Sequence, residues 1–434
     1  RDSYMLGLLF GIFFILLALG VPILFSMGIA AGIYYVASDY PLMQFVQKTV
    51  AGVDSFTLLA IPFFLLAGDI MGKGGISKRM LRFANSLVGP LTGGLAVTGV
   101  ISSAMFGTIC GSAPATAASI GSIIAPDMLK HGYVKRFTGS IIAAAGLLGI
   151  IIPPSIVMVN YGATAGVSIG KLFIGGIIPG IMAALGLSLF SVYQAKKNGY
   201  GLIHGQKQKY NWKEIVDSFK GAILPLTTPL FILGSIMFGI ATATEAAVIS
   251  VVWSAFLTVC VYHEMSIKEL CTVITNGAGK AGQIIGMMAS SAAFGYALTV
   301  EKVPALMARF FVQYVDNVAI FFLITFLIIL VLGCFLEVIA IIVLVTPILL
   351  PVALAMHVDP IHFGMFMCLT LCLGGLTPPV GLCLITTSQL VDVPIEDMFP
   401  DLLYCILIYC GVIALVGLIP ELSTYLPSLM VKGI

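Results

Sequence analysis

From Phe83 to Pro126, forty-four residues pass without one Asp, Glu, Lys, Arg or His, and basic clusters close both ends. Lys73, Lys78, Arg79 and Arg82 precede the stretch; Lys130, Lys135 and Arg136 follow it. A single transmembrane helix uses about 20 apolar residues, so the stretch is too long for one span and fits two legs of a hairpin. Basic flanks favour the cytoplasmic face, which puts both ends of the hairpin on that side. Its middle, Thr108-Ile109-Cys110-Gly111-Ser112-Ala113-Pro114, is small, polar and helix-breaking. Non-helical backbone at membrane depth persists only where protein buries it or a cavity faces it. The stretch therefore reads as a re-entrant hairpin over about 85–127, with its tip in a binding site.

The chain is 59% hydrophobic and 9% charged, with a mean hydropathy of +1.11, which is the balance of an all-α polytopic membrane protein. A net charge of +2 is too small to imply a nucleic-acid partner. Nine cysteines form no CxxC pair, and Cys368 with Cys372 makes only half a soft metal site. The apolar run from Met5 to Tyr35 carries no cleavage site, so it is expected to remain as anchor. Apolar runs predict spans near 5–19, 21–38 and 57–72, then the hairpin, then 138–160 and 172–194. Segment 195–220, with Lys196, Lys197, Lys207, Lys209, Lys213 and Lys220, is predicted to be a cytoplasmic linker. Further runs cover 221–240, 243–262, 281–300, 305–356 (a second hairpin), 361–390 and 402–420. Segments 39–56 and 264–280 are more polar and are expected as amphipathic interfacial helices.

The chain repeats itself. Pro126 and Pro351, Gly149 and Gly374, Pro153 and Pro378, and Pro154 and Pro379 are each 225 residues apart. Leu148-Gly149-Ile150-Ile151-Ile152-Pro153-Pro154 thus answers Leu373-Gly374-Gly375-Leu376-Thr377-Pro378-Pro379. Counting spans from the cytoplasmic linker brings the second hairpin in from the outer face. Two inverted repeats, each with a re-entrant hairpin and a broken helix, are the sequence sign of a secondary transporter. The halves are 1–194 and 221–434, joined by the linker 195–220. In the first, scaffold spans cover about 5–72, the hairpin 85–127 and the broken helix 138–160. In the second, scaffold spans cover about 221–262, the hairpin about 305–356, the broken helix 361–390 and a final span 402–420.

A Pro-Pro pair at mid-membrane removes two backbone donors and unwinds the helix, freeing carbonyls. Sodium, a hard cation, accepts such oxygens. The first candidate clamp sets Gly107, Cys110 and Ser112 against Gly149, Ile152 and Pro154. The second sets Gly333 against Gly374, Thr377 and Val380. Most would offer carbonyls; Ser112 and Thr377 add hydroxyls. An intramembrane carboxylate is a functional candidate by default, which singles out Glu337. Glu245 opens an apolar run and is expected as a helix cap, and Asp54 and Asp69 read as interfacial. Ser112, Thr116, Ser155 and Glu337 are the candidates for contact with substrate. No HExxH, no GxSxG with partners and no His-Cys constellation is present, so an intramembrane enzyme is not indicated.

The runs Gly74-Gly75-Ile76-Ser77-Lys78-Arg79, Gly111-Ser112-Ala113-Pro114-Ala115-Thr116-Ala117-Ala118, Ile152-Pro153-Pro154-Ser155-Ile156 and Ser168-Ile169-Gly170-Lys171-Leu172-Phe173 resemble the large membrane subunit of TRAP transporters, the DctM-like family. So do Thr346-Pro347-Ile348-Leu349-Leu350-Pro351 and Gly375-Leu376-Thr377-Pro378-Pro379-Val380-Gly381-Leu382. The resemblance spans nearly the whole chain in order. It implies a sodium-driven importer of small organic acids such as C4-dicarboxylates or sialic acids, in the bacterial inner membrane. It implies no cofactor beyond the coupling ion. It also implies a small four-helix membrane subunit, here expected as a separate polypeptide, and a periplasmic substrate-binding protein. A transport domain moving as an elevator against a scaffold is implied too. Two departures stand out: Cys110 and Ala113 occupy tip positions where the family often has serine, and Glu337 stands where it often has Asp. The alternative within transport is a stand-alone sodium/dicarboxylate-type symporter that needs no binding protein.

Overall fold

The computed structural model describes residues 2–38, 40–201, 210–315, 317–333, 336–378 and 381–429, and every regular element among them is helical. The chain begins with α1 (Asp2–Ala18), α2 (Ile23–Ala37) and the short α3 (Leu42–Ala51), then a 3-10 turn leads into α4 (Ala60–Lys73). Helix α5 (Ile76–Val88) starts from Gly75 at φ +69° and is amphipathic, carrying Lys78, Arg79 and Arg82 on its polar side. The first hairpin is α6 (Gly94–Cys110) and α7 (Ala113–Lys130). The broken helix follows as α8 (Lys135–Gly146), the single turn α9 (Leu148–Ile151) and α10 (Ile156–Ala165), bent by 42° at the break. Helix α11 (Ile169–Asn198) closes the first half.

The second half opens with α12 (Trp212–Met237) and α13 (Ala243–Ala255), whose last turns widen into a π-helix at Phe256–Val261. Then come α14 (Ile267–Val300), α15 (Val303–Tyr314), the hairpin α16 (Val318–Gly333) with α17 (Val338–Ala355), α18 (Pro360–Leu373) and α19 (Leu382–Val391). Helices α20 (Ile395–Leu418) and α21 (Glu421–Ser428) end the described chain. The duplication seen in the sequence recurs in the elements: α7 and α17 are both 18 residues long and start at 113 and 338, 225 apart.

Several boundaries differ from the sequence expectation. The first hairpin starts at Gly94, because 85–88 completes α5; the second starts at Val318, because 305–314 belongs to α15. Segment 264–280 is no separate interfacial helix: α14 runs unbroken for 34 residues, opened by a capping box between Ser266 and Glu269. The expected linker 195–220 is shorter too. Helix α11 continues to Asn198 and α12 begins at Trp212, with Asn211 Oδ1 accepting from the Lys213 and Glu214 amides. Lys207 and Lys209 lie outside the described residues. Helix α21, which follows Pro420 and contains Pro427, was not anticipated. Glu245 is a cap, as expected, in a box with Thr242.

Seven helices are long and apolar enough to cross a membrane, and the bent α8–α10 unit makes an eighth. Large apolar side chains point outward along them, among them Leu185 and Leu189, and Leu230 and Phe231; Leu323 and Leu327 do so on the shorter α16. That outward apolar surface fits a lipid solvent, where no hydrophobic gain comes from turning such residues in. Inside, the two halves interlock. Helix α10 packs against α17, and α19 against α7, so each broken helix leans on the hairpin of the other half. Tyr161 Oη donates to the Pro360 carbonyl at 2.9 Å, and Tyr409 Oη to the Ala144 carbonyl at 2.7 Å, pinning the halves across the same core. Helix α4 packs against both α13 and α14, and α14 packs against α2.

Candidate functional site

The first hairpin turns within two residues. Gly111 takes φ +63°, a left-handed conformation open to glycine at little cost, and Ser112 is extended at φ −133°. Ser112 is the N-cap of α7 but its side chain caps nothing, so the first amides of α7 are left for another partner. At the second tip Glu337 is the N-cap of α17, extended at φ −68° and ψ 147°, and its carboxylate also caps nothing. The two tips approach one another across a cavity of about 420 Å³.

The broken helices supply two more walls. Ile152, at φ −82° and ψ 123°, leaves the helix, the Pro153–Pro154 bond is cis, and α10 restarts at Ser155. Ser155 Oγ donates to the Ile150 carbonyl at 2.6 Å and accepts from the Met158 amide at 3.4 Å. In the second half Thr377 leaves the helix at φ −101°, and its Oγ1 donates to the Gly374 carbonyl at 3.2 Å.

Tip and break meet through glycines. A methyl on Gly107 would sit 2.5 Å from Gly149 Cα, and one on Gly149 would strike Thr116 Oγ1 and lie 3.1 Å from the Ser112 carbonyl. In the second half, a methyl on Gly333 would lie 3.3 Å from Gly374 Cα. The sequence-derived pairs Gly107–Gly149 and Gly333–Gly374 are thus in backbone contact. The Pro154 carbonyl lies against Gly111, 3.3 Å from where a methyl would sit. Cys110 lines the cavity, and its carbonyl lies against Gly68 on α4, where a methyl would come within 2.7 Å. The side chain of Ile152 turns to Gly180 on α11. Val380, the last member of the second clamp, lies outside the described residues, as does Pro379.

Of the four candidates for substrate contact, Ser112 and Glu337 line the cavity. Thr116 and Ser155 are fully buried and are not among its lining residues. Ser155 is occupied by the restart of α10, whereas Thr116 Oγ1 is buried beside Gly149, where an added methyl would strike it.

Sequence reasoning missed one pair. Asp69 on α4, expected at an interface, lines the cavity, and Lys280 Nζ on α14 donates to its two oxygens at 2.8 and 3.1 Å. A lone charge amid small residues was the available signal, in Ala67-Gly68-Asp69 and Gly277-Ala278-Gly279-Lys280-Ala281-Gly282. The cavity therefore presents a carboxylate, an ion pair, two uncapped helix N-termini and otherwise mostly apolar walls. Helix N-termini favour anions.

The family model described as "Tripartite ATP-independent periplasmic transporter, DctM component" matches residues 10–422. The chain is 38% identical over 422 residues to the isethionate TRAP transporter permease protein DctMQ of Oleidesulfovibrio alaskensis, covering 97% of this chain and 66% of that protein. It is 34% identical to the sialic acid large permease SiaM of Vibrio cholerae, over 98% of this chain and 99% of that one. It is 32% identical to the C4-dicarboxylate large permease DctM of Rhodobacter capsulatus, again over 98% and 99%. In fold it resembles the YdaH transporter of Alcanivorax borkumensis, with a TM-score of 0.61 at 12% identity, over 86% of this chain and 87% of that one.

Proposed function

The chain belongs to the DctM family of tripartite ATP-independent periplasmic transporters, and on that premise we propose that it imports a small organic acid on a sodium gradient. Membership makes it a multi-span inner-membrane permease and not an enzyme. The acid, a carboxylate or sulfonate, would occupy the cavity between the two tips. A periplasmic binding protein would deliver it, and a small membrane subunit would flank the permease. The observation that carries the reading is the doubled crossing, Gly107 on Gly149 and Gly333 on Gly374, with both tips lining one cavity. Each crossing brings helix-end carbonyls together, as a hard monovalent cation needs.

Charge supports the coupling. Glu337 and Asp69 line the cavity with one lysine, Lys280, so with Glu337 ionised an arriving anion would meet net negative charge. A cation bound first would cancel it, which makes anion affinity depend on sodium. The reciprocal packing of hairpins and broken helices supports their moving as one body, an elevator, against α4, α13 and α14. Transport by the reconstituted complex should need sodium and rise with more than the first power of its concentration. Uptake that ran equally well in potassium with a proton gradient would refute sodium coupling. Uptake by the permease with no binding protein would favour a stand-alone symporter.

A further inference from the structure

We infer that Lys280 is the group that receives the acid end of the transported molecule, and that Asp69 is the counter-ion occupying it while the cavity is empty. The inference rests on the reading of this cavity as the transport site. Lys280 is the one lysine or arginine among the residues that line it. Its side chain is more exposed than its partner's, 56% against 21%. Small residues surround it on α14, which leaves the ammonium room to swing. Asp69 meets it with two oxygens, at 2.8 and 3.1 Å, the geometry a substrate carboxylate or sulfonate would reproduce. The ammonium exchanges one charge-assisted contact for another, while Asp69, 21% exposed, gives up its partner.

Other features direct an anion to the same place. The N-termini of α7 and α17 open into the cavity without side-chain caps. The opposing possibility is that the pair is a strut between α4 and α14. These helices already meet through Leu66 and Gly277, where a methyl on the glycine would lie 3.3 Å from the leucine, so the contact does not depend on the ion pair.

A receptor and a strut give opposite results in a charge-neutral double variant. The test uses the complete complex in proteoliposomes and a radiolabelled acid, chosen from succinate, sialate and isethionate as the one the wild type takes up. Lys280→Gln should raise KM about tenfold or more with little change in kcat, and Lys280→Arg should restore most of the affinity. Asp69→Asn should lower KM, because the counter-ion that competes for Lys280 is gone. The double variant should behave like Lys280→Gln. Recovery in the double variant, or a KM for Lys280→Gln within twofold of wild type, would show a strut and overturn the inference. Protection of a cysteine at Ala115 from a thiol reagent by the same acid checks the cavity reading separately. If protection fails, that reading falls and takes this inference with it. If protection holds while Lys280→Gln is silent, only the role of Lys280 is lost.

Discussion

Ser112 and Glu337 stand 225 residues apart, each at the N-cap of its hairpin's second leg, and both line one cavity. One is a neutral hydroxyl, the other a carboxylate. The same contrast runs through the breaks. Ile152 and Thr377, also 225 apart, both leave the helix in extended conformation, but only Thr377 brings a hydroxyl, which bonds the Gly374 carbonyl. The crossings differ in tightness: methyl groups would meet the opposite Cα at 2.5 Å in the first half and 3.3 Å in the second. The lesson is that a duplicated backbone keeps its geometry while its side chains divide the labour. The first half is close-packed and offers mainly main-chain oxygens; the second is looser and carries the ionisable group.

The sharpest way to break this comparison is at the crossings. Gly107→Ala should destabilise by about 3 kcal/mol or abolish the folded permease, since the methyl would have to displace main chain. Gly333→Ala should cost less than half of that. Thermal unfolding of the two purified variants in detergent decides it; equal losses would mean the halves are packed alike.

Next in size is the tip charge. Glu337→Gln should raise the sodium half-saturation by about 2 kcal/mol, roughly thirtyfold, while Ser112→Ala changes it little. Sodium titrations of uptake measure both. Equal effects would make the tips functionally equivalent.

The breaks give a smaller contrast. Thr377→Ala should cost about 1 kcal/mol in sodium half-saturation, near fivefold, with normal expression. Ile152→Ala, which leaves every oxygen in place, should alter stability and not sodium dependence. The smallest effect is expected inside the first clamp. Thr116→Val replaces a buried hydroxyl by a methyl, so melting temperature should hold or rise, while sodium affinity falls a few-fold if that oxygen meets the ion. A melting temperature that dropped would show that the hydroxyl has a protein partner in solution.

Much of this could be seen in the bare sequence because it is periodic or local. The constant offset placed Gly149 and Gly374 in corresponding positions, and the proline pairs located both breaks. Two hairpin tips could be read from small residues within uncharged runs. The Asp69–Lys280 pair could not, since its members lie 211 residues apart on separate helices and neither has a motif. The unbroken α14 was hidden for another reason. Lys268, Glu269 and Lys280 lower the hydropathy of its first half, yet in the fold these side chains are exposed on one long helix. Thr116 and Ser155 misled because hydroxyl chemistry is visible in sequence and burial is not.

The cross-bracing of the halves has a consequence for how the chain is made. Helix α7 ends at Lys130, but α19, which it packs against, ends at Val391. At a synthesis rate of about 5–20 residues per second, the first hairpin leaves the ribosome tens of seconds before that neighbour exists. For that interval its polar tip has no second half to shelter it, so the insertion machinery or a chaperone must hold it. A chain stalled before residue 382 should therefore be a substrate for membrane proteolysis, however sound its first half.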